Sequence, residues 1–138
     1  MIAAFTWLAL ATSLNLAWEF AHLPLYKLAP GVGPTAAVLH CAAGDALIAA
    51  ACYTAVVLAR RTPRWSTRRP FAGRAVFIAL AATYTIESEL RNLSSGAWAY
   101  AGPMPTLAGI GVSPLVQWWL IPTIATCAFR VLRRSEAS

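Results

Sequence analysis

Charge is scarce in this sequence. Of its 138 residues only 12% are Asp, Glu, Lys or Arg, where a soluble domain carries ~25%, and just five are acidic. Apolar residues make up 59%, above the usual ~45–50%. A single compact domain of this length cannot hide such a surplus from water, so the composition excludes a soluble or a disordered chain and implies that the excess faces lipid. Cysteine is sparser still. Cys41, Cys52 and Cys127 all fall within apolar segments, and the nearest two, eleven residues apart, stand ~16 Å apart along a helix. That distance excludes a bridge between them, and the three read as small buried apolar residues.

What the chain does have is long apolar runs. Residues 2–20, 35–59, 75–93 and 112–129 are each long enough to cross a ~30 Å hydrocarbon layer as a helix. They are continuous and rich in Ala and Leu, whereas barrel strands would alternate polar and apolar residues with a period of two. The first run has no basic residues ahead of it and stays apolar beyond Ala9-Leu10-Ala11, which separates it from a signal peptide. The expected architecture is all-α: residues 1–138 form a single domain, an integral membrane four-helix bundle.

Of the +6 net charge, most sits in two places. Arg60, Arg61, Arg64, Arg68, Arg69 and Arg74 lie between the second and third runs, and Arg130, Arg133 and Arg134 follow the fourth. The other connections hold only Lys27 and, at one edge, Arg91. By the positive-inside rule the Arg-rich side and both termini are cytoplasmic, in a multi-pass protein of the cell inner membrane. Anionic membrane lipids are the natural partners of these arginines, and topology accounts for them without a nucleic acid. Residues 60–74, with Pro63 and Pro70, read as a short polar turn. The outer connections, 21–34 and 94–111, are rich in Pro and Gly yet largely apolar; they are expected to lie in the interface, anchored by Tyr26, Trp98 and Tyr100.

The placement of the acids is the informative feature. Only Glu136 lies in a solvated tail; Glu19, Asp45, Glu87 and Glu89 all fall within apolar runs, where an ionisable side chain costs at least ~2.5–3.5 kcal/mol at the helix centre. At ~1.5 Å per residue, Glu19 is near the outer boundary, Glu89 ~6 Å, Glu87 ~9 Å and Asp45 ~15 Å below it, with Asn15, His40 and Gln117 at ~7.5 Å. Every helix thus sends polar groups into one layer, as a bundle with an outward-opening polar pocket would require. A proton or solute channel would instead spread acids through the full membrane thickness.

Helical phase places Asn15, Glu19 and His22 on one face of the first span, turned to the interior. On the second, Cys41, Asp45 and Cys52 share a stripe with His40 at its flank, and Gly44 leaves room for a ligand or a close helix contact. On the third, Tyr84, Glu87 and Arg91 share a face, with Glu87–Arg91 as an internal ion pair, and Glu89 points ~200° away from Glu87, toward a neighbouring helix or the outer loop. Each group also has a structural reading: the first-span trio as a hydrogen-bond network that fixes helix packing, and Trp118 and Trp119 as packing or interfacial residues.

Asn15-Leu16-Ala17-Trp18-Glu19 resembles the Asn-x-x-Trp-Glu segment of the integral-membrane terpene cyclases of fungal meroterpenoid and indole-diterpene pathways. That resemblance implies a catalytic acid at Glu19, with Asn15 and Trp18 beside it, that protonates an epoxide or alkene and starts a cation cascade. Gly96-Ala97-Trp98-Ala99-Tyr100 and Ser113-Pro114-Leu115-Val116-Gln117 are similar to the Gly-x-Trp-x-Tyr and Pro-Leu-Glu-Glu segments of membrane lycopene cyclases, with Val116 and Gln117 standing where that family has paired acids. The whole chain, including His40-Cys41-x-x-Gly44-Asp45 and Met104-Pro105, resembles a group of short bacterial four-span membrane proteins, a resemblance that implies the fold and no particular activity.

A carboxyl held in hydrocarbon stays neutral and is therefore a proton donor, and aromatic faces steady a carbocation without attacking it. The expected function is an intramembrane cyclase or isomerase acting on an isoprenoid or other lipid-like small molecule. Glu19 is its acid, Asp45 or Glu87 receives the final proton, and His22 or His40 tunes Glu19. Asn15, Trp18, Trp98, Tyr100, Gln117 and Trp118 complete the substrate site. No cofactor is expected on this reading. The alternative is a transition metal or haem held through Glu19, His22 and His40, since Glu19-x-x-His22 has the spacing of di-iron bundles and Asp45 and Glu87 could complete the sphere. In such bundles the motif recurs on a second helix, which here a homodimer would supply. The remaining possibility is an accessory subunit whose polar layer docks a larger membrane partner.

Overall fold

The computed structural model describes residues 2–63, 65–68 and 70–135. Arg64, Arg69 and Glu136 lie outside them. Helices account for 79% of the fold, in four long elements: α1 (Ile2–His22), α2 (Pro34–Arg60), α4 (Pro70–Ser95) and α5 (Val112–Ser135), with a single turn, α3 (Trp65–Arg68), between α2 and α4. α2 packs on α1 and α4, and α5 packs on the same two, so the four long helices close a ring in the order α1, α2, α4, α5.

Each long helix follows from a buried stripe repeating every three or four residues. On α1 the stripe is Trp7, Ala11, Asn15, Glu19 and His22; on α4 it includes Phe77, Ala81, Thr85 and Glu89. Both stripes change from apolar to polar along the bundle axis. The apolar half holds an aromatic cluster in which the Trp7 ring lies 5.2 Å from Tyr53, 5.6 Å from Trp65 and 5.4 Å from Phe77. Trp7 Nε1 donates to Thr126 Oγ1 at 3.1 Å, and that hydroxyl donates in turn to the Pro122 carbonyl at 2.7 Å, which settles a buried donor in the apolar core.

The connection after α2 differs from the expected polar turn. Trp65 folds back into the bundle end and is 1% exposed, and α4 already begins at Pro70, where proline's fixed φ suits a first helical turn. Gly73 makes room for Trp65: a Cβ there would stand 2.5 Å from the Trp65 ring at Cε3. Gly73→Ala is therefore expected to lower stability by about 1–3 kcal/mol despite alanine's better helix propensity, read as a fall in the midpoint of thermal unfolding in neutral detergent. An unchanged or raised midpoint would show that Trp65 does not plug the bundle.

At the opposite end, two short pairings join the outer connections. β1 (Tyr26–Lys27) pairs antiparallel with β2 (Ala99–Tyr100), and β3 (Thr106–Leu107) with β4 (Ile110–Gly111). The β3–β4 turn has positive φ at both Ala108 (52°) and Gly109 (81°), the hand that matches strand twist. Tyr26, Trp98 and Tyr100 are half-buried, and both tyrosine hydroxyls turn onto Glu89. Of the cysteines, all free, Cys52 is buried, but Cys41 is half-buried and Cys127 is exposed on the outer face of α5.

The bundle is apolar outside. Phe5, Leu47, Leu58 and Phe71 are 73–80% exposed, while Asn15, Glu19 and Gln117 are at most 6% exposed. Among the described residues, α2 and the Val112–Arg133 stretch of α5 are long and apolar enough to cross a membrane. α1 and α4 are of similar length, and each carries polar side chains in its last turns, of which Glu19, His22 and Glu89 belong to the site.

Candidate functional site

A cavity of about 800 Å³ opens in the polar half of the bundle, walled by the end of α1, the first half of α2, the last turns of α4 and the start of α5. Its first polar wall is organised by Gln117. The amide Nε2 lies 2.6 Å from Asp45 Oδ2, 2.9 Å from Asn15 Oδ1 and 3.4 Å from Glu19 Oε1. An amide nitrogen has two hydrogens, so Asp45 and Asn15 receive them and Glu19 makes the weakest of the three contacts. Glu19 takes its better bond from His22, whose Nε2 is 3.1 Å from Oε2, and His22 Nδ1 is 3.0 Å from Ser113 Oγ. With hydrogen on Nε2, His22 donates to Glu19 and accepts from Ser113. The carboxyl groups of Glu19 and Asp45 thus both approach the one Gln117 amide nitrogen.

Glu89 forms the second polar wall. The Tyr100 hydroxyl donates to its Oε2, Tyr26 OH stands 3.5 Å from Oε1, and Tyr100 OH accepts from the Gly111 backbone N–H at 2.7 Å. Gly111 permits this approach, since a Cβ there would meet the Tyr100 ring and hydroxyl at 3.2 Å. The two walls meet at Tyr26, whose ring lies 5.3 Å from that of His22.

Burial, and after it the bond to Glu89, pushes the Tyr100 phenol up from the usual value near 10 to about 12; burial also raises Tyr26. The sign follows directly. Below pH ~10 both folded and unfolded chains keep these phenols neutral, and above it the unfolded chain ionises first, so stability declines as pH rises from ~10 through ~12. Tyr100→Phe is expected to shrink that alkaline decline in thermal midpoints measured between pH 8 and pH 12. An equal decline in the variant would assign it to other groups.

Of the residues expected at the site, Glu19, His22, His40, Asp45, Trp98, Gln117 and Trp118 line the cavity. Gly44 also opens onto it, with nothing within 4 Å of an added Cβ, so it provides space and not a helix contact. Asn15, fully buried, stands behind Gln117, and Tyr100 stands behind Glu89. Trp18 lies off the cavity, its Nε1 buried without a hydrogen-bond partner. Trp119 is 60% exposed.

Glu87 lies apart from the site altogether. Its pairing with Arg91 is present at 2.5 Å, but both side chains are more than half exposed and the pair lies on the outer face of α4, not inside the bundle. The Phe77, Ala81, Thr85 and Glu89 stripe turns inward in its place, because small residues let α4 approach its neighbours closely. Glu89, Tyr26, Ser113 and Cys41 thus belong to the site's surroundings without having been singled out as site residues by sequence. For a metal or haem, His22 has both ring nitrogens engaged by protein partners, His40 is exposed at the cavity rim, and among the described residues no three His, Cys, Asp or Glu converge as a ligand set.

Comparison with models of known families, with curated proteins and with solved structures finds no match for this chain.

Proposed function

We propose that this protein is a four-span enzyme of the inner membrane, with its Arg-rich end and termini cytoplasmic, that isomerises or cyclises an isoprenoid or similar lipid by protonating it from Glu19. The membrane reading is supported by the inverted exterior and by the gathering of Arg60, Arg61, Arg74, Arg130 and Arg133 at the end opposite the cavity. The observation that carries the chemistry is the convergence of Glu19 and Asp45 on the single Gln117 amide in the wall of a largely apolar cavity. Among the described residues no Lys or Arg lines the cavity to pair with these two carboxyls.

In the reaction, the proton leaves a Glu19 oxygen, a C–H bond forms at an alkene carbon, and the carbocation later returns a proton to the carboxylate pair. His22 keeps Glu19 oriented, and the faces of Tyr26, Trp98 and Trp118 steady the cation. Exposed Leu47 and Val32 at the cavity edge give an apolar chain a sideways entry from lipid. Within the segment that resembles terpene cyclases, Asn15 and Glu19 are the members that face the bundle interior.

The test works on a mixture of lipids, whichever of them is the substrate. Purified protein is incubated in D2O with a total lipid extract of its host membrane, and the lipids are analysed by mass spectrometry. Protonation at carbon places deuterium in the product, so species heavier by one mass unit are expected with the native chain and not with Glu19→Gln. No mass-shifted lipid, or equal labelling by the variant, would overturn the proposal.

A further inference from the structure

We propose that the cavity binds amphiphilic organic cations, an ammonium head carried on an alkyl or isoprenoid tail. The site is that of the preceding proposal, but the binding inference requires no proton transfer and rests on how charge is distributed over the molecule. The chain has eleven Lys and Arg against five Asp and Glu. Nevertheless Glu19, Asp45 and Glu89 all line this one cavity, and no Lys or Arg does among the described residues. The bases on the lining are His22, bonded to Glu19, and His40 at the exposed rim. A strongly basic protein has thus kept its basic side chains out of one apolar hollow and placed most of its acids there.

Around Glu89 the acids are combined with ring faces. The rings of Tyr26 and Trp98 meet edge to face, 6.3 Å apart at 90°, beside the Glu89 carboxyl that Tyr26 contacts. Trp98 Nε1 makes no hydrogen bond within bonding distance, the Glu89 carboxyl lies near it, and the indole ring is part of the cavity lining. Tyr84, on the α4 side, adds a further ring to the lining. Carboxylate and aromatic faces together are what recognise a weakly hydrated ammonium, and in surroundings of low dielectric their attraction is little screened. An anionic head finds no Lys or Arg to pair with among the described lining residues, and a neutral head gains only a hydrogen bond. Beyond these groups the lining is aliphatic, through Leu28, Val32, Leu47 and Ile48, which accommodates the tail.

The probe is dodecyltrimethylammonium, titrated into the full chain in a neutral maltoside detergent and followed by quenching of tryptophan emission. Dodecanol reports the tail alone and dodecanoate the opposite charge. The cation is expected to bind at least about tenfold more tightly than dodecanol, dodecanoate is expected not to compete, and Glu89→Gln is expected to remove most of the preference. Equal affinity for cation and alcohol, or an undiminished preference in Glu89→Gln combined with Asp45→Asn, would overturn the inference. Should those variants lose their helical circular dichroism, the cation-to-alcohol ratio of the native chain decides by itself. Deuterium transfer without cation preference would remove this inference and leave the enzymatic proposal standing; cation preference without deuterium transfer would do the reverse.

Discussion

Gln117→Leu is expected to destabilise the protein by about 2–4 kcal/mol, the largest stability loss of any single exchange at the site. The two hydrogens of one amide nitrogen serve Asn15 and Asp45, on two other helices, with Glu19 as a weaker third contact, so a single exchange strips the donor from two acceptors at once. A hydrogen bond between membrane helices averages only ~0.6 kcal/mol and reaches ~1.7, because the unfolded chain in lipid also finds partners. Asp45 is a carboxyl, however, and each acceptor left buried without a donor adds about 1–3 kcal/mol, while Glu19 keeps its bond from His22. Thermal unfolding in maltoside, followed by near-ultraviolet circular dichroism, measures the loss. A fall below about 1 kcal/mol would mean that Asn15, Glu19 and Asp45 find other donors and that Gln117 is not the hub of the bundle.

On activity the largest effect is expected at Glu19. Removing a general acid lowers rates by about 10²–10⁴, so Glu19→Gln, which keeps the side chain's size, is expected to reduce deuterium transfer by that factor. Glu87→Gln is the matched control. The Glu87–Arg91 pair is exposed, at 57% and 77%, and pairs of this kind contribute about 0.2–1 kcal/mol, so this variant is expected to retain both transfer and stability. Comparable losses in the two variants would place the chemistry elsewhere than in the cavity. The same pair of variants separates a role for Glu19 in proton transfer from a general effect of removing negative charge from the outer half of the bundle.

Much of this organisation is legible in the residues. The four long helices coincide with the four apolar runs, extended at their ends to Ile2–His22, Pro34–Arg60, Pro70–Ser95 and Val112–Ser135. The face shared by Asn15, Glu19 and His22 is buried, because spacings of four and three residues leave no choice of phase once one member faces inward. Depth along the axis was also readable: Asn15, Asp45 and Gln117, estimated to lie in one half of the membrane, meet at one amide.

On α4 the same reasoning misplaces the acid, and the reason is physical. Two glutamates two residues apart point to nearly opposite sides, and the Glu87–Arg91 spacing forms a pair as readily on an outer face as on an inner one. A signal for the right phase is present in size and not in polarity. Of the large apolar residues, Phe71, Val76, Leu80 and Leu90 face outward and Phe77 inward, while the small Gly73, Ala81 and Thr85 mark the side on which another helix fits closely.

The amino-acid sequence by itself determined that this protein is a helical bundle with an apolar exterior, arginines at one end and polar side chains in the other half, because helix length, periodicity and the penalty for charge in hydrocarbon are local properties of the chain. Tertiary structure alone decided that Glu89 and not Glu87 faces the cavity, that Trp65 closes the far end, and that Tyr26 and Tyr100 descend from paired outer strands onto Glu89. Those contacts join residues 11 to 63 positions apart, and they depend on helix rotation and loop closure, which no window of neighbouring residues encodes.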